Sequence, residues 1–383
     1  MSLEILYAVN AKMPNSKAHG IQIVKTCEAL AGRGNTVSLI IAGKARGGTD
    51  VFTFYNLERN FSVVRLPVID TTLFGHVVQF YLRSVSFYVS LYPFLFFRLL
   101  KNALYGAKSI VYVRGEAILI LAPVFFFTTL VWESHTLRGH KSLYRALLPL
   151  LSGMVVITDA YKRDLVATKK IRDARIAVAR DAVDIEEFDI HDTKDEARKS
   201  LGLPQNKTIV LYTGQLSEHK GVDTLLKSSE YLPDEYLMVI VGGKEAEVAR
   251  YKERYGTAGI QFAGLVPHGD IPRYLKAADM LVLPDSALSD YGRLHTSPMK
   301  MFEYMASRRP ILASNVPSLG EVLNEKNAMM FVPDNANDLA EKMQVLRSDP
   351  VRAERLSMES YRTVQEFTWA KRALKIETFL HTV

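Results

Sequence analysis

Short apolar runs alternate along this chain with longer segments whose apolar residues recur every three or four positions. The short runs fit strands buried on both faces of a parallel sheet, and the longer segments fit the helices that cover such a sheet. In the first half, EILYAVN (4–10), TVSLIIAG (36–43), SVVRLPV (62–68), SIVYVR (109–114), LVWESH (130–135) and MVVITD (154–159) read as strands. HGIQIVKTCEALAGRG (19–34) and AYKRDLVATK (160–169) read as helices. The second half predicts strands at TIVLYTGQ (208–215), EYLMVIVGG (235–243), IQFAGLV (260–266), MLVLPDS (280–286), RPILAS (309–314) and AMMFVP (328–333). Helical patterns separate them, and the segment 351–383 reads as largely helical.

At 383 residues the chain exceeds what one hydrophobic core supports. Two sets of alternating strands and helices predict an α/β protein of two Rossmann-like domains. The polar stretch 185–205 marks the break. Ligands in open α/β sheets bind beyond the carboxyl ends of the strands, so two such sheets are expected to face each other across a cleft.

Charge changes the picture of the first half. Residues 1–150 carry 16 Lys/Arg against 7 Asp/Glu, a balance of +9, whereas the rest balances at −2. A basic half suggests an anionic partner, against the simpler alternative of a basic solvated surface. Two uncharged apolar stretches lie in the same half, at 84–97 and 117–131. Each is shorter than the roughly 20 residues of a spanning helix, and Pro93 and Pro123 interrupt them. A buried helix is the first expectation for both. The aromatic residues of 84–97, between Arg83 and Arg98, also suit a peripheral membrane surface. The N-terminus has no basic segment ahead of an apolar one and reads as no signal peptide. The single cysteine, Cys27, excludes an internal disulfide framework, fits a cytoplasmic protein, and reads as a small buried residue of a helix.

Candidate chemistry gathers at two strand-to-helix passages. In LYTGQLSEHKGVDTLL, Gly214 follows a strand and lets a backbone approach a ligand, and Lys220 offers a cation for phosphate. In HTSPMKMFEYMASRRPILAS, Thr296 and Ser297 are cap candidates, with Pro298 at the first helical position. Glu303 lies between Phe302 and Tyr304 in an apolar segment and needs a partner there. Two ribose hydroxyls would serve, as would Arg308 or Lys300. No acidic pair suits Mg²⁺, so no metal or other cofactor is expected.

GQLSEHKGVDTLL, the VIVGG strand and SPMKMFEYMASRRPILAS together resemble the donor-binding half of glycosyltransferase family 4, across about 205–335. VARDAVDIEEF resembles the family's linker. In the first half KMPNSKAHGIQIVKTCEALAGRGNTVSLI resembles its glycine-containing first loop and helix, and LVWESHT resembles the strand that brings in an active-site histidine. The resemblance implies the GT-B fold: an acceptor-binding domain at 1–187, a nucleotide-sugar-binding domain at 188–365, and a final helix at 366–383 returning to the first domain. It implies a retaining hexosyltransferase, metal-independent for want of a suitable acidic pair; the basic first half and the aromatic stretch 84–97 suggest a cytoplasmic protein, at the membrane face or away from it, acting on a glycan or lipid-linked acceptor of the cell envelope.

Residue by residue, the resemblance implies that Lys220 neutralises the donor diphosphate and that Glu303 binds the ribose. Ser297, Pro298 and Met299 would place backbone amides near the phosphates. Gly20, Gly214 and Gly242 would allow close approach, and His135 would sit by the donor sugar. Two departures stand out. His295 occupies the place of the family's first glutamate, eight positions before Glu303. Gln215 stands where arginine is common, and Arg293 is the candidate to compensate. A GT-B epimerase, a phosphorylase and a non-catalytic sugar-nucleotide binder share the architecture. No nucleic-acid partner is expected, for RNA-binding aromatic motifs and zinc spacings are absent. A dinucleotide oxidoreductase would want G-x-G-x-x-G after the first strand, where VNAKMPNSKAHG stands.

Overall fold

The computed structural model describes residues 2–44, 49–71, 73, 75–115, 118–135, 146–169, 171–289, 293–294 and 297–383. The chain divides into two compact units, residues 1–180 with 369–383, and residues 181–368.

The first unit holds a sheet of seven strands: β1 (Glu4–Val9), β2 (Thr36–Ala42), β3 (Ser62–Leu66), β4 (Ser109–Arg114), β5 (Thr129–Ser134), β6 (Gly153–Val156) and β7 (Ile176–Val178). They lie in the order β3-β2-β1-β4-β5-β6-β7, and every pairing is parallel. Ile5, Tyr7, Leu39, Tyr112 and Val131 point to one face; Leu6, Ala8, Ile40, Val113 and Trp132 point to the other. Two buried faces explain why the strands read as nearly continuous apolar runs. β7 escaped the sequence reading because its pattern is only three residues long.

The second unit holds β8 (Thr208–Thr213), β9 (Tyr236–Val241), β10 (Ile260–Gly264), β11 (Met280–Leu283), β12 (Ile311–Ser314) and β13 (Met329–Phe331). Their order is β10-β9-β8-β11-β12-β13, again all parallel. The six sequence-predicted strands are all present. The strand order reverses at β8/β11 here and at β1/β4 in the first unit, and those are the points where open α/β sheets receive ligands.

Four helices carry or support the residues of interest: α1 (Ala18–Gly32), α2 (Gly75–Leu104), α3 (Met299–Ala306) and α4 (Trp369–Thr382). α4 belongs to the first unit. Its Ala373, Ile376, Phe379 and Leu380 share a buried cluster with Ile23, Val24 and Cys27 of α1. The border between the units falls at Arg180/Asp181 rather than 187/188. The reason is local, since Val183 bridges to Thr368 and Phe188 joins the core of the second unit.

The two apolar stretches do not fold as two buried helices. Residues 84–97 lie in α2, a helix of 30 residues with Pro93 inside it. Phe87, Leu91 and Leu95 are buried. Val77, Tyr81, Val85, Val89, Phe96, Phe97, Leu100 and Leu104 are exposed, most of them at the four-residue spacing that puts side chains on one helix face. The stretch 117–131 divides: Ile118–Phe125 is helical and β5 begins at Thr129, with the Thr128 N–H donating to Phe125 O between them. No helix among the described residues is long and apolar enough to cross a membrane. Cys27 is buried as expected, and burial pushes its thiol pKa up.

Candidate donor site and a buried carboxylate network

The second unit builds a cationic cradle at its switch point. β8 delivers Gly214, whose φ is +129°, and the following turn ends in Lys220 and Gly221. Gly221 is left-handed, with φ +62°, and a Cβ there would stand 1.8 Å from Pro284 O. Only glycine lets this turn close against the loop after β11. That closure brings Lys220 Nζ within 2.8 Å of Asp285 Oδ1. Asp285 is fully buried, and its carbonyl accepts from Ser314 Oγ at 2.6 Å. Gly242 completes the passage: its φ is +109° and a Cβ would lie 2.3 Å from Gly214 O.

Helix α3 rises beside this turn. Tyr304 on α3 accepts from Thr213 N at 2.7 Å, fixing the helix to the end of β8. Pro298 is the N-cap, and no side-chain cap bond is made. Ser297 Oγ instead accepts from Asp181 N at 3.4 Å. The expected hydroxyl cap at Ser297 is therefore not the arrangement found, and Pro298 has no N–H to offer a phosphate. The orphan first-turn amides of Met299 and Lys300 remain as donors. Gln215 is exposed, and its carbonyl accepts from Tyr212 Oη at 2.7 Å. Arg293 is exposed, and its N–H donates to Ser289 O at 3.0 Å. His295 and Thr296 lie outside the described residues.

Glu303 is buried, and neither partner named from the sequence takes it. Arg308 pairs with Asp189 at 2.9 Å, and Lys300 lies over the Tyr212 ring. Glu303 instead faces His268, Oε1 to Nε2 at 3.5 Å, and Glu187 approaches the other ring nitrogen at 3.6 Å. Burial opposes charge on His268, but the two carboxylates outweigh it and push its pKa up to about 10. His268 was missed in the sequence. Its signal was its place in VPHGDIP, just after a strand.

In the first unit the centre is Glu133, fully buried on β5. It accepts from Tyr7 Oη (3.1 Å), Tyr112 Oη (2.8 Å), Gln22 Nε2 (2.6 Å) and Arg372 Nη2 (2.8 Å). Burial alone would raise its pKa, yet Arg372, the bond from His135 and the charge of Arg114 hold it well below the usual carboxylate range. His135 Nε2 lies 2.9 Å from Glu133 Oε1, and its Nδ1 lies 3.5 Å from Arg114 Nη2. Both ring nitrogens thus face protein groups. Arg114 Nη1 donates to His19 O at 3.0 Å. Burial, helped by Arg114, Lys17 and His135, lowers the His19 pKa to about 4, so its imidazole is neutral near pH 7. Gly20 lies in the first turn of α1. A Cβ there would meet Tyr55 Oη at 2.6 Å and Asn15 Oδ1 at 3.0 Å, so the position is packed within its own unit.

Two parallel Rossmann-like sheets in one chain make this an α/β protein of the GT-B fold, in keeping with the solved structures it resembles. Residues 193–363, a little under half of the chain, match the family model described as glycosyl transferases group 1. Among curated relatives, a Bacillus subtilis protein named as a teichuronic acid biosynthesis glycosyltransferase, TuaC, is 28% identical over 193 residues, covering 50% of this chain and 46% of the relative. Spore coat protein SA of Bacillus subtilis is 30% identical over 193 residues, with 46% and 49% covered. The D-inositol 3-phosphate glycosyltransferase of Streptomyces bingchenggensis is 27% identical over 214 residues, with 52% and 46% covered. The chain thus spans about half the length of these relatives. Solved structures match over the whole length and establish the fold. Sucrose-phosphate synthase from Thermosynechococcus elongatus gives a TM-score of 0.77 at 19% identity, with 99% of this chain and 98% of that one covered. Anabaena HepE in complex with UDP gives 0.74 at 15% identity, with both chains fully covered.

Proposed function

We propose that this chain transfers a sugar from a nucleoside diphosphate sugar to an acceptor hydroxyl, with retention at the anomeric carbon and without a metal. The observation that carries this reading is the Lys220–Asp285 pair, set by glycine turns at the β8/β11 switch point beside the start of α3. Cleaving a sugar–phosphate bond builds negative charge on the leaving diphosphate. A lysine already partly buried and oriented by Asp285, together with the first-turn amides of Met299 and Lys300, stabilises that charge at little reorganisation cost. Glu303 receives the ribose hydroxyls, with His268 fixing its orientation.

Retention follows from front-side displacement. The anomeric C–O(phosphate) bond breaks, the acceptor oxygen bonds to the same face, and the acceptor proton passes to the leaving phosphate oxygen. Asp285 and Glu133, both fully buried, are engaged with Lys220 and Arg372, which argues against their use as nucleophiles. That UDP is bound in the HepE structure supports a nucleotide ligand. The names of TuaC and of WaaG, a structural neighbour "involved in lipopolysaccharide biosynthesis", support an acceptor of the cell envelope. The exposed apolar stripe of α2 gives such an acceptor a bilayer-facing surface, in a half of the chain that carries net positive charge.

A thermal-shift screen of UDP, GDP, ADP and their sugars tests the donor assignment. The matching nucleotide raises the melting temperature, and a flat response to all of them overturns the reading. NMR of the anomeric proton in the product then decides retention. Flotation with anionic liposomes tests the α2 surface. Wild-type protein should float and a Val85→Glu/Phe97→Glu variant should not; a wild type that stays in the soluble fraction at low salt refutes the membrane contact.

A further inference from the structure

Lys300 sits in the first turn of α3, and its side chain packs against Gly214. Its Nζ lies 3.8 Å from the centroid of the Tyr212 ring, and a Cβ on Gly214 would stand 3.7 Å from it. The ammonium nitrogen is buried and has no hydrogen-bond partner. Asp285 Oδ2 is likewise buried and unbonded, while Oδ1 of the same carboxylate holds Lys220. A buried ammonium without a hydrogen bond is unfavourable, and a ring face offsets only part of that. Burial accordingly lowers the Lys300 pKa to about 7, against the pull of Asp285 and Glu303 and with the push of Lys220.

We propose that Lys300 is a second cation of the diphosphate site and takes up a proton from solvent as the donor's phosphates arrive. This rests on the reading of the 214–220 turn as the donor site. The groups facing Lys300 are Tyr212 from β8, Asp285 from the loop after β11, Lys220 from the 214–220 turn and Glu303 on its own helix. Asp285 and Glu303 favour the charged amine; burial and Lys220 disfavour it. A diphosphate at this turn adds negative charge and the oxygen acceptors that Nζ lacks, so the balance moves to the ammonium form. The charge then appears beside Gly214, next in sequence to Gln215, a side chain that can hydrogen-bond a phosphate and cannot neutralise it. The site in effect carries one lysine that is paired in advance and one whose charge is completed by the ligand.

Calorimetric titration of the full chain with UDP, GDP and ADP at pH 8, in two buffers of different ionisation enthalpy, counts the protons taken up. The nucleotide that binds should bring in about one proton, and its affinity should fall about tenfold per pH unit above neutrality. In Lys300→Met both effects should vanish, and affinity at pH 7 should drop on the order of tenfold. The corresponding nucleoside should bind variant and wild type alike. Lys300→Gln, which keeps a donor without the charge, repeats the test should methionine disturb folding. Binding by the wild type without proton uptake overturns the proposal, whatever the variants do. So does unchanged affinity and uptake in a folded Lys300→Met or Lys300→Gln protein. If none of the three nucleotides binds the wild type, the donor-site reading itself fails.

Discussion

Lys220 and Asp285, 65 residues apart in sequence, meet at 2.8 Å across the β8/β11 switch point, the carboxylate fully buried and the lysine nearly so. On the proposed function, such a pair would couple catalysis to stability. Removing the lysine leaves a buried carboxylate without its counter-charge, a change that costs about 3–5 kcal/mol. Lys220→Ala should therefore lower kcat by about 10²–10³ and also lower the urea midpoint. A Lys220→Met/Asp285→Leu double variant should recover most of the stability and none of the activity. If stability and activity return together, Lys220 is structural and not part of leaving-group stabilisation.

Gly221 is the most restrictive position of the cradle. Gly221→Ala combines a left-handed backbone with a Cβ placed 1.8 Å from Pro284 O, so the loops must part. We expect destabilisation of about 2 kcal/mol or more in urea unfolding, together with loss of nucleotide affinity because Lys220 moves. A neutral Gly221→Ala would contradict the geometry of this turn.

His268 makes the stability of the second unit depend on pH. Its folded pKa is raised to about 10, above an unfolded value near 6.5, so the folded state holds the proton more tightly. The contribution is fully present below about pH 6.5 and is lost as pH rises toward 10. With solvent screening, about 1–3 kcal/mol is at stake. Melting temperature measured from pH 6 to 10 should fall more steeply for wild type than for His268→Asn. Parallel curves would show that the pairing with Glu187 and Glu303 contributes nothing.

Arg372 supplies the charge that makes a buried Glu133 tolerable. Arg372→Met should cost about 3–5 kcal/mol, and Arg372→Met/Glu133→Gln appreciably less than the single change. Chemical denaturation of the three proteins, analysed as a double-mutant cycle, measures the coupling. Additive effects would mean that the 2.8 Å contact carries no energy.

The proposed chemistry uses protein cations alone at the leaving group. Transfer activity, once the donor is found, should survive exhaustive chelation by EDTA with kcat unchanged within about twofold. A loss restored by Mg²⁺ or Mn²⁺ would overturn metal independence.

Most of the two sheets was legible because strands buried on both faces leave continuous apolar runs that polar helices separate. Lys220 and Glu303 were legible as charges at strand-to-helix passages. Three things were not. The run 117–131 carries no turn residue at the helix–strand junction after Phe125, and periodicity alone cannot divide an apolar segment. The partner of Glu303 is set by the loop after β10, which no local pattern connects to α3. The network of Gln22, Glu133 and Arg372 joins residues up to 350 positions apart. A carboxylate inside the apolar run LVWESH was the visible sign of it, and the histidine beside that carboxylate drew the reading instead.

α4 finishes the core of a unit whose strands precede residues 181–368, and this gives synthesis of the chain an order in time. While the polypeptide is being made, residues 181–368 can close their own sheet as soon as they emerge. The earlier-made strands β1, β4 and β5 must meanwhile hold Glu133 without its arginine and α1 without its neighbour. The unit whose strands are made before residues 181–368 is thus completed after them.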